Sequence, residues 1–342
     1  MAMGKIVGIT TRDVAAKAGV SAMTVSLALR NDKRVSEKSK KKVFAAAEEL
    51  GYRVNPYVST LMKSVRSRKT IKDNPTFAFI ARKDQVLGPR SKQLKDQMLS
   101  VISDHCHRVG CNVELHEIEP DQGPFISKVL WNRGVCGLIL GPFRFGHLDL
   151  SWEKFVPVSL SESFSSIPVS KVVHDNFSGM ELAFSKLWEH GFRSPGLLVS
   201  QKGHINTRNR WLDSFLGNSF RKNLTFVKRR IFDHPYLEKT ALEKWLRKNE
   251  FDCLITCHKE TISLLSELGY SVPRDLSIIH LDCGFLEENY SGIDQDFESR
   301  SETAVQLLLD KLCLNEYGLP RLPYALHTKG KWVDGQTIQS PG

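Results

Sequence analysis

Residues 16–31 read AKAGVSAMTVSLALRN, and this stretch decides the architecture of the first part of the chain. Small and β-branched residues surround one glycine and two serines, and no charge interrupts them between Lys17 and Arg30. Gly19 is placed to end one helix, because glycine takes the left-handed turn at little cost. Ser21 is placed to cap the next. Val25, Ala28 and Leu29 then recur at helical spacing and define an inward face. Upstream, Thr10 and Asp13 have capping-box spacing, and Val14, Ala15 and Ala18 form an apolar stripe. Downstream, the loop NDKR leads to a third helix from about Ser36 to Leu50, with Val43, Ala46, Ala47 and Leu50 inward and Gly51 closing it.

The charge is concentrated in the same region. The chain has 342 residues and a net charge of +10. Residues 1–73 hold 16 Lys and Arg against 6 Asp and Glu, whereas the remainder holds 32 of each. A basic head on a neutral body points to a polyanion. A merely solvated basic tail would be of low complexity, and this segment has an apolar pattern instead. Two helices joined by a short glycine-containing turn within such a head form the helix-turn-helix pattern of DNA-binding proteins.

After Pro56, residues 57–65 can form a short helix, and RSRKTIKDNP (residues 66–75) has the composition of a linker. From about residue 76 short apolar runs alternate with helical stretches. The strand-like runs are TFAFIAR, CNVELHEI, VCGLILGPF, FVPVSLS, SPGLLVS, LTFVKRRIF, FDCLITC and LSIIHLD. Helices are expected near 92–109, 124–133, 178–190, 207–221, 237–249 and 259–268. This is the β-α-β rhythm of doubly wound parallel sheets. It occurs twice, with a seam near 160–173, so two similar lobes are expected. Such lobes bind ligands outside the carboxyl ends of their strands.

The seven cysteines are scattered and mostly set in apolar runs, as free thiols in a reducing compartment would be. Cys253 and Cys257 lie four apart in a strand-like run with no second ligand pair, so no metal site and no cofactor is expected. There is no apolar run of membrane-spanning length and no secretory signal, which makes cytoplasm the expected location. The chain lacks a phosphate loop, a G-x-G-x-x-G turn, a G-x-S-x-G elbow and His/Glu metal spacing. His174–Asp175 is a lone pair. An enzyme is therefore not expected; the alternative is a DNA-binding head fused to a sugar-processing α/β enzyme.

The segments TTRDVAAKAGVSAMTVSLALRN, RVSEKSKKKVFAAAEELGYRVNP and NPYVSTLM closely resemble the lactose-repressor (LacI/GalR) family. The body resembles that family's periplasmic-binding-protein-like core through HDNFSGMELAFSKLWEHGFR, IIHLD and GIDQDF, with GKWVDGQTI completing the last strand. The resemblance implies an α/β fold. It has a three-helix helix-turn-helix head (residues 1–55), a hinge helix and linker (56–73), and a two-lobed core (74–342). Lobe 1 would span about 74–165 with a return near 290–322, and lobe 2 about 170–288 plus the C-terminal strand. It also implies a repressor that binds a near-palindromic operator as a homodimer, with no membrane partner. The absence of appended heptads favours a dimer over a zipper-linked tetramer.

In such heads the second helix enters the major groove. The family positions that read bases fall on Ala22, Met23 and Leu27. Ser21, Thr24 and Ser26 suit phosphates, or a base edge in the case of Ser26, and Arg30 the backbone. Thr10 and Asn55 belong to the same surface. Many relatives carry Arg where this chain has Leu27, and Arg would give a bidentate contact to guanine. Leu27 offers only apolar contact with a thymine methyl, or it packs inward. Readout then leans on DNA shape and on the hinge. There Leu61 matches the apolar wedge inserted from the minor groove, with Val58 and Ser59 beside it. Val58 is bulkier than the Ala common in relatives.

For the effector, the resemblance implies a sugar or sugar derivative in the cleft between the lobes. Asp282, at the end of a strand, can accept two hydroxyls. Gln295 and Asp175 match further cleft positions, either Arg208 or Arg210 matches the ligand-binding arginine, and Trp211 could offer an apolar platform. The bland alternatives are helix caps and local ion pairs. Ligand would act by shifting populations that order or melt the hinge.

Overall fold

The computed structural model describes residues 11–29, 32, 34–50, 52, 74–83, 89–119, 122–141, 148–162, 167–286 and 289–341. Thr10, Arg30, Asn55, Val58, Ser59 and Leu61, with the whole hinge, lie outside the described residues.

The head contains α1 (Thr11–Ala18), α2 (Ala22–Ala28) and α3 (Glu37–Glu49). Gly19 takes φ +68° and separates the first two, as only glycine does cheaply. Ser21 caps α2 by accepting the Thr24 N–H, and Ser36 caps α3 by accepting the Ser39 N–H. Val14, Ala15, Ala18, Val25, Ala28, Val43, Ala46 and Ala47 form the core, with Leu29 and Leu50 packed against it.

The rest of the chain divides into two compact units. Residues Val173–Arg300 and Leu326–Gly342 make the second; the first takes the chain up to Val172 together with Ser301–Ala325. The return into the first unit thus begins at Ser301, ten or so residues later than the sequence suggests, because residues 290–300 belong to the second.

The first sheet consists of β1 (Thr76–Arg82), β2 (Asn112–Ile118), β3 (Val135–Leu140), β4 (Val156–Ser159), β5 (Lys171–His174) and β10 (Ala325–Thr328), in the order β10-β5-β4-β3-β1-β2, and the chain passes from one unit to the other within β5 and β10. The pairings of β1 with β2 and β3, and of β4 with β3 and β5, are parallel. β1 and β3 are the buried centre, with Phe77, Phe79, Ile80, Leu138, Ile139 and Leu140 fully enclosed. Parallel strands covered on both faces read as continuous apolar runs, as these do. The helices are α4 (Pro89–Arg108), α5 (Gly123–Asn132) and, from Ser301 on, α11 (Phe297–Cys313). Leu308 of α11 packs within 2.8 Å of where a Cβ on Gly137 would lie, so β3 admits that helix only with glycine there.

The second sheet runs β11-β9-β8-β7-β6, with β6 (Pro195–Leu198), β7 (Cys253–Thr256), β8 (Ser277–His280), β9 (Gly292–Asp294) and β11 (Lys331–Val333). β6 to β9 are parallel and β11 closes the edge antiparallel to β9. Around it lie α6 (Asn176–Glu189), α7 (Gln201–Asn206), α8 (Arg210–Arg221), α9 (Lys239–Leu246) and α10 (Thr261–Glu267). One face is an aromatic core of Phe184, Phe192, Trp211 and Phe215; the other is built on Phe232, Leu242, Leu246, Leu254 and Tyr290.

Two expectations need correction here. LTFVKRRIF is not a strand: Val227–Arg230 form a 3-10 helix, and Ile231 alone bridges to Leu197. Its three consecutive basic residues leave no apolar alternation for a strand to bury. The helix expected near 207–221 starts only at Arg210, because Arg208 and Asn209 take φ +52° and +62°, and a separate short helix, α7, precedes that break.

Candidate functional site

The recognition helix is prepared by its cap. Ser21 sits in extended backbone, and its Oγ accepts the Thr24 N–H at 3.1 Å and pairs with Thr24 Oγ1 at 2.9 Å. Both hydroxyls are thereby held at the helix tip. Ala22 and Met23 are exposed, Met23 by 71%. Leu27 is half-buried and packs partly on the head core, and Ser26 is half-buried with an interaction of its own. Val25 and Ala28 supply the opposite, buried face. The tip therefore presents a methyl and a thioether, with hydroxyls beside them. On the same head Arg12, Lys38, Lys41 and Lys42 are exposed. Lys17, Arg34 and Lys40 instead pair with Glu49, Asp32 and Glu37. An apolar reading tip within a basic surround suits the major groove, where cations neutralise phosphates and apolar groups meet thymine methyls.

The second candidate region is the carboxyl edge of the second sheet. Asp282 follows β8, and its side chain reaches solvent. Its backbone N–H donates to His280 Nδ1 at 3.0 Å. The surrounding protein desolvates the Asp282 carboxyl and pushes its pKa up to about 6, with Arg300 opposing and Asp294 adding to the rise. Gln295 is buried, and its Nε2 donates to the Leu281 carbonyl at 3.1 Å, tying the ends of β8 and β9 together. At the end of β6 the Ser200 N–H donates to His258 Nε2 at 3.1 Å, which links that strand to β7.

Asp175 serves its own helix: it caps α6, accepting the Ser178 N–H at 3.2 Å and the Ser178 hydroxyl at 2.6 Å. Arg208 is exposed on the break before α8, and Arg210, half-buried, opens α8; each has interactions of its own. Trp211 lies away from the surface. It is 6% exposed inside the aromatic core, because α8 turns its strongly apolar face, one residue on from Arg210, to the sheet.

Sequence reasoning missed two groups here. Arg300 is buried, its charge faces Asp282, Asp294 and Asp296, and its Nε has no hydrogen-bond partner. Burial lowers its pKa and the three carboxylates counter that. The four-residue spacing from Asp296 to Arg300 was the available signal. His174 is buried with both ring nitrogens unpartnered, and a Cβ at Gly179 or Gly330 would lie within 2.8 Å of its ring. Nothing in the spacing of HDN marks it.

A helix-turn-helix head followed by two α/β units of mostly parallel strands defines the class: a DNA-binding regulator with a binding-protein-like core. Residues 10–55 match the bacterial regulatory proteins of the lacI family, and residues 184–337 a periplasmic binding protein-like domain. Among relatives, the HTH-type transcriptional repressor PurR of Actinobacillus pleuropneumoniae serotype 3 (strain JL03) is 24% identical over 328 residues, covering 90% of this chain and 92% of the relative. PurR of Haemophilus influenzae (strain ATCC 51907 / DSM 11121 / KW20 / Rd) is 23% identical over 339 residues, covering 91% and 93%. The fold is shared with the transcriptional regulator CelR in complex with cellobiose (TM-score 0.56, 16% identity, covering 96% of this chain and 99% of that one). It is shared equally with the lac repressor dimer bound to operator and the anti-inducer ONPF (TM-score 0.53, 17% identity, covering 96% and 98%). The chain is thus similar to the bacterial regulatory proteins of the lacI family in its head and to periplasmic binding protein-like domains in its core. The relatives that it matches over most of both chains are named transcriptional repressors. Among the described residues no helix is long and apolar enough to cross a membrane.

Proposed function

We propose that this chain is a DNA-binding transcriptional repressor, which binds a near-palindromic operator as a homodimer and answers to a sugar or sugar derivative held at the carboxyl edge of the second unit. The observation that carries the DNA half is the exposed apolar tip of a capped recognition helix. Ala22 and Met23, with the accessible part of Leu27, touch thymine methyls, while Ser21, Thr24, Ser26 and Arg30 engage phosphates or a base edge. Thr10 and Asn55 act in the same surface. Leu61 wedges the central step from the minor groove, flanked by Val58 and Ser59, and shape supplies the rest of the specificity.

For the effector, Asp282 is the leading ligand residue: it is the solvent-reaching carboxylate at a strand end, positioned through His280 and electrostatically coupled to buried Arg300. A carboxylate accepts two hydroxyls, which suits a polyol better than an apolar ring. Arg210 is preferred to Arg208 as its cationic partner, since it is anchored at a helix start. Gln295 and Asp175 shape the edge from behind. The sugar reading also draws on structural neighbours solved with cellobiose and with ribose. Effector binding changes operator affinity by favouring one conformational state, and the effect is bounded by its differential affinity for the two.

A thermal-shift screen of the full chain against sugars, organic acids and nucleobases tests the effector class. A sugar hit lost in Asp282→Asn, with operator affinity of the ligand-free protein kept, supports the reading. A hit confined to nucleobases, or a sugar hit indifferent to Asp282→Asn, overturns it.

A further inference from the structure

The second unit holds an open cavity of about 670 Å³ that shares no residue with the strand-end group around Asp282. Its walls are the 3-10 helix at Val227–Arg230, the extended run Ile231–His234, and α9 continued to Asn249. A volume of this size is typical of small-molecule sites.

Its charge is one-sided. Lys228, Arg229, Lys244 and Lys248 line it, against the single carboxylate of Asp233. That carboxylate already accepts the Gln201 Nε2 amide at 2.7 Å. Neighbouring cations do find acids: Arg247 pairs with Glu243 and Lys239 with Glu267. Among the described residues Lys228, Lys244 and Lys248 have no such partner. Lys244 and Lys248 are four apart, so they share a face and repel each other. Three exposed ammonium groups thus gather at one cavity whose single carboxylate is already engaged by an amide, which favours an entering anion.

The floor is apolar and fixed. Trp245 donates its Nε1 hydrogen to the Arg229 carbonyl at 2.9 Å. Its ring lies 4.5 Å from Phe251 and meets Phe232 edge-on at 5.6 Å. The Asn249 side-chain amide holds the Trp245 carbonyl at 2.8 Å. The indole is therefore pre-organised, with little side-chain freedom left to lose when a ligand packs on it.

We propose that this cavity is a second ligand site, taking an organic phosphate whose phosphoryl group sits among Lys228, Lys244 and Lys248 while its carbon skeleton lies against Trp245 and Ile231. A phosphate is favoured over a carboxylate by the donor set. Separate lysines act as point charges around a dianion with three acceptor oxygens, whereas planar carboxylate recognition calls for a guanidinium fork. Arg229 is not available as that fork, because its guanidinium lies over the Phe226 ring at 5.1 Å.

Adenosine monophosphate is the probe, titrated into the full chain at constant ionic strength by calorimetry and by fluorescence, with Trp245→Phe used to assign the fluorescence change. The expected result is saturable binding, with adenosine alone and inorganic phosphate alone each weaker by about tenfold or more. Lys244→Gln/Lys248→Gln weakens it by a similar factor, and Asp282→Asn leaves it unchanged. Glucose 6-phosphate bound as tightly also supports an organic-phosphate site. Absence of saturation by either phosphate ester, binding indifferent to the lysine pair, or loss in Asp282→Asn overturns the proposal. So does saturation by duplex DNA alone, which would make this face part of the DNA interface.

Discussion

The backbone N–H of Asp282 donates to Nδ1 of His280 at 3.0 Å, so the carboxylate that reaches solvent and the imidazole buried behind it share one turn of chain. This bond fixes the ring: Nδ1 is the acceptor, and in the neutral form the proton resides on Nε2. Burial pushes the His280 pKa down to about 4, and burial together with Arg300 does the same for His174.

Stability of the second unit therefore falls in mild acid. The unfolded chain takes up these two protons near pH 6.5, whereas the folded state resists them until about pH 4. Stability is full above 6.5 and is lost as pH falls through that window, by up to roughly 3 kcal/mol per histidine. Asp282, raised to about 6, works in the opposite direction between pH 4 and 6, but burial also lowers His204 and His258 in the same unit, which adds to the histidine side. Thermal unfolding should show Tm dropping from pH 7 to pH 5, and His280→Asn should flatten the slope in part. A Tm independent of pH in this range would refute the assignment.

Ser21→Ala should destabilise the head by about 1 kcal/mol, the usual cost of an N-cap, since the Thr24 N–H loses its acceptor. Urea unfolding followed in the head measures this. Operator affinity should fall as well, because Thr24 loses the hydroxyl that orients it.

Met23 and Leu27 should separate cleanly. Met23 is exposed, so Met23→Ala should weaken operator binding with a stability change within about 0.5 kcal/mol. Leu27 packs partly on the head core, so Leu27→Ala should cost about 1 kcal/mol of stability in addition to affinity. Binding isotherms read beside unfolding curves distinguish the two. Strongly fixed guanines under the helix in a selected operator would contradict the apolar readout.

Thiol reagents should react slowly with the native protein. Burial raises the Cys106, Cys136, Cys257 and Cys283 thiols to about 12 and pushes Cys111 and Cys253 well above the ordinary thiol range. At pH 8 these six hold almost no thiolate, the reactive form. Timed labelling should leave them largely unmodified until denaturant is added, after which all seven cysteines react.

Much of this was legible in the sequence, for local reasons. Gly19, Ser21 and Ser36 announce helix boundaries because caps and left-handed turns depend on one residue and its near neighbours. Apolar runs such as TFAFIAR and FDCLITC announce β1 and β7, because a parallel strand covered on both faces has no polar side to show. The one-sided charge of the head was equally plain. The run VKRR misled because its flanking apolar residues resemble a strand while its centre cannot be buried.

What only the tertiary structure decided depends on residues far apart in the chain. Trp211 and Arg210 are adjacent, yet one enters the aromatic core and the other opens a helix, and only the docking of α8 chooses between them. Arg300 gains its meaning from Asp282 and Asp294, which the folding of β8 and β9 brings to it. Lys228 meets Lys244 and Lys248 across a cavity because the chain turns back at α9. The sequence determined which segments form helices and strands and where the positive charge lies, since those follow from short-range sterics and composition. Which polar groups ended up buried, paired or left facing one another was decided by packing, because electrostatics in a protein interior depends on distances that sequence separation does not measure.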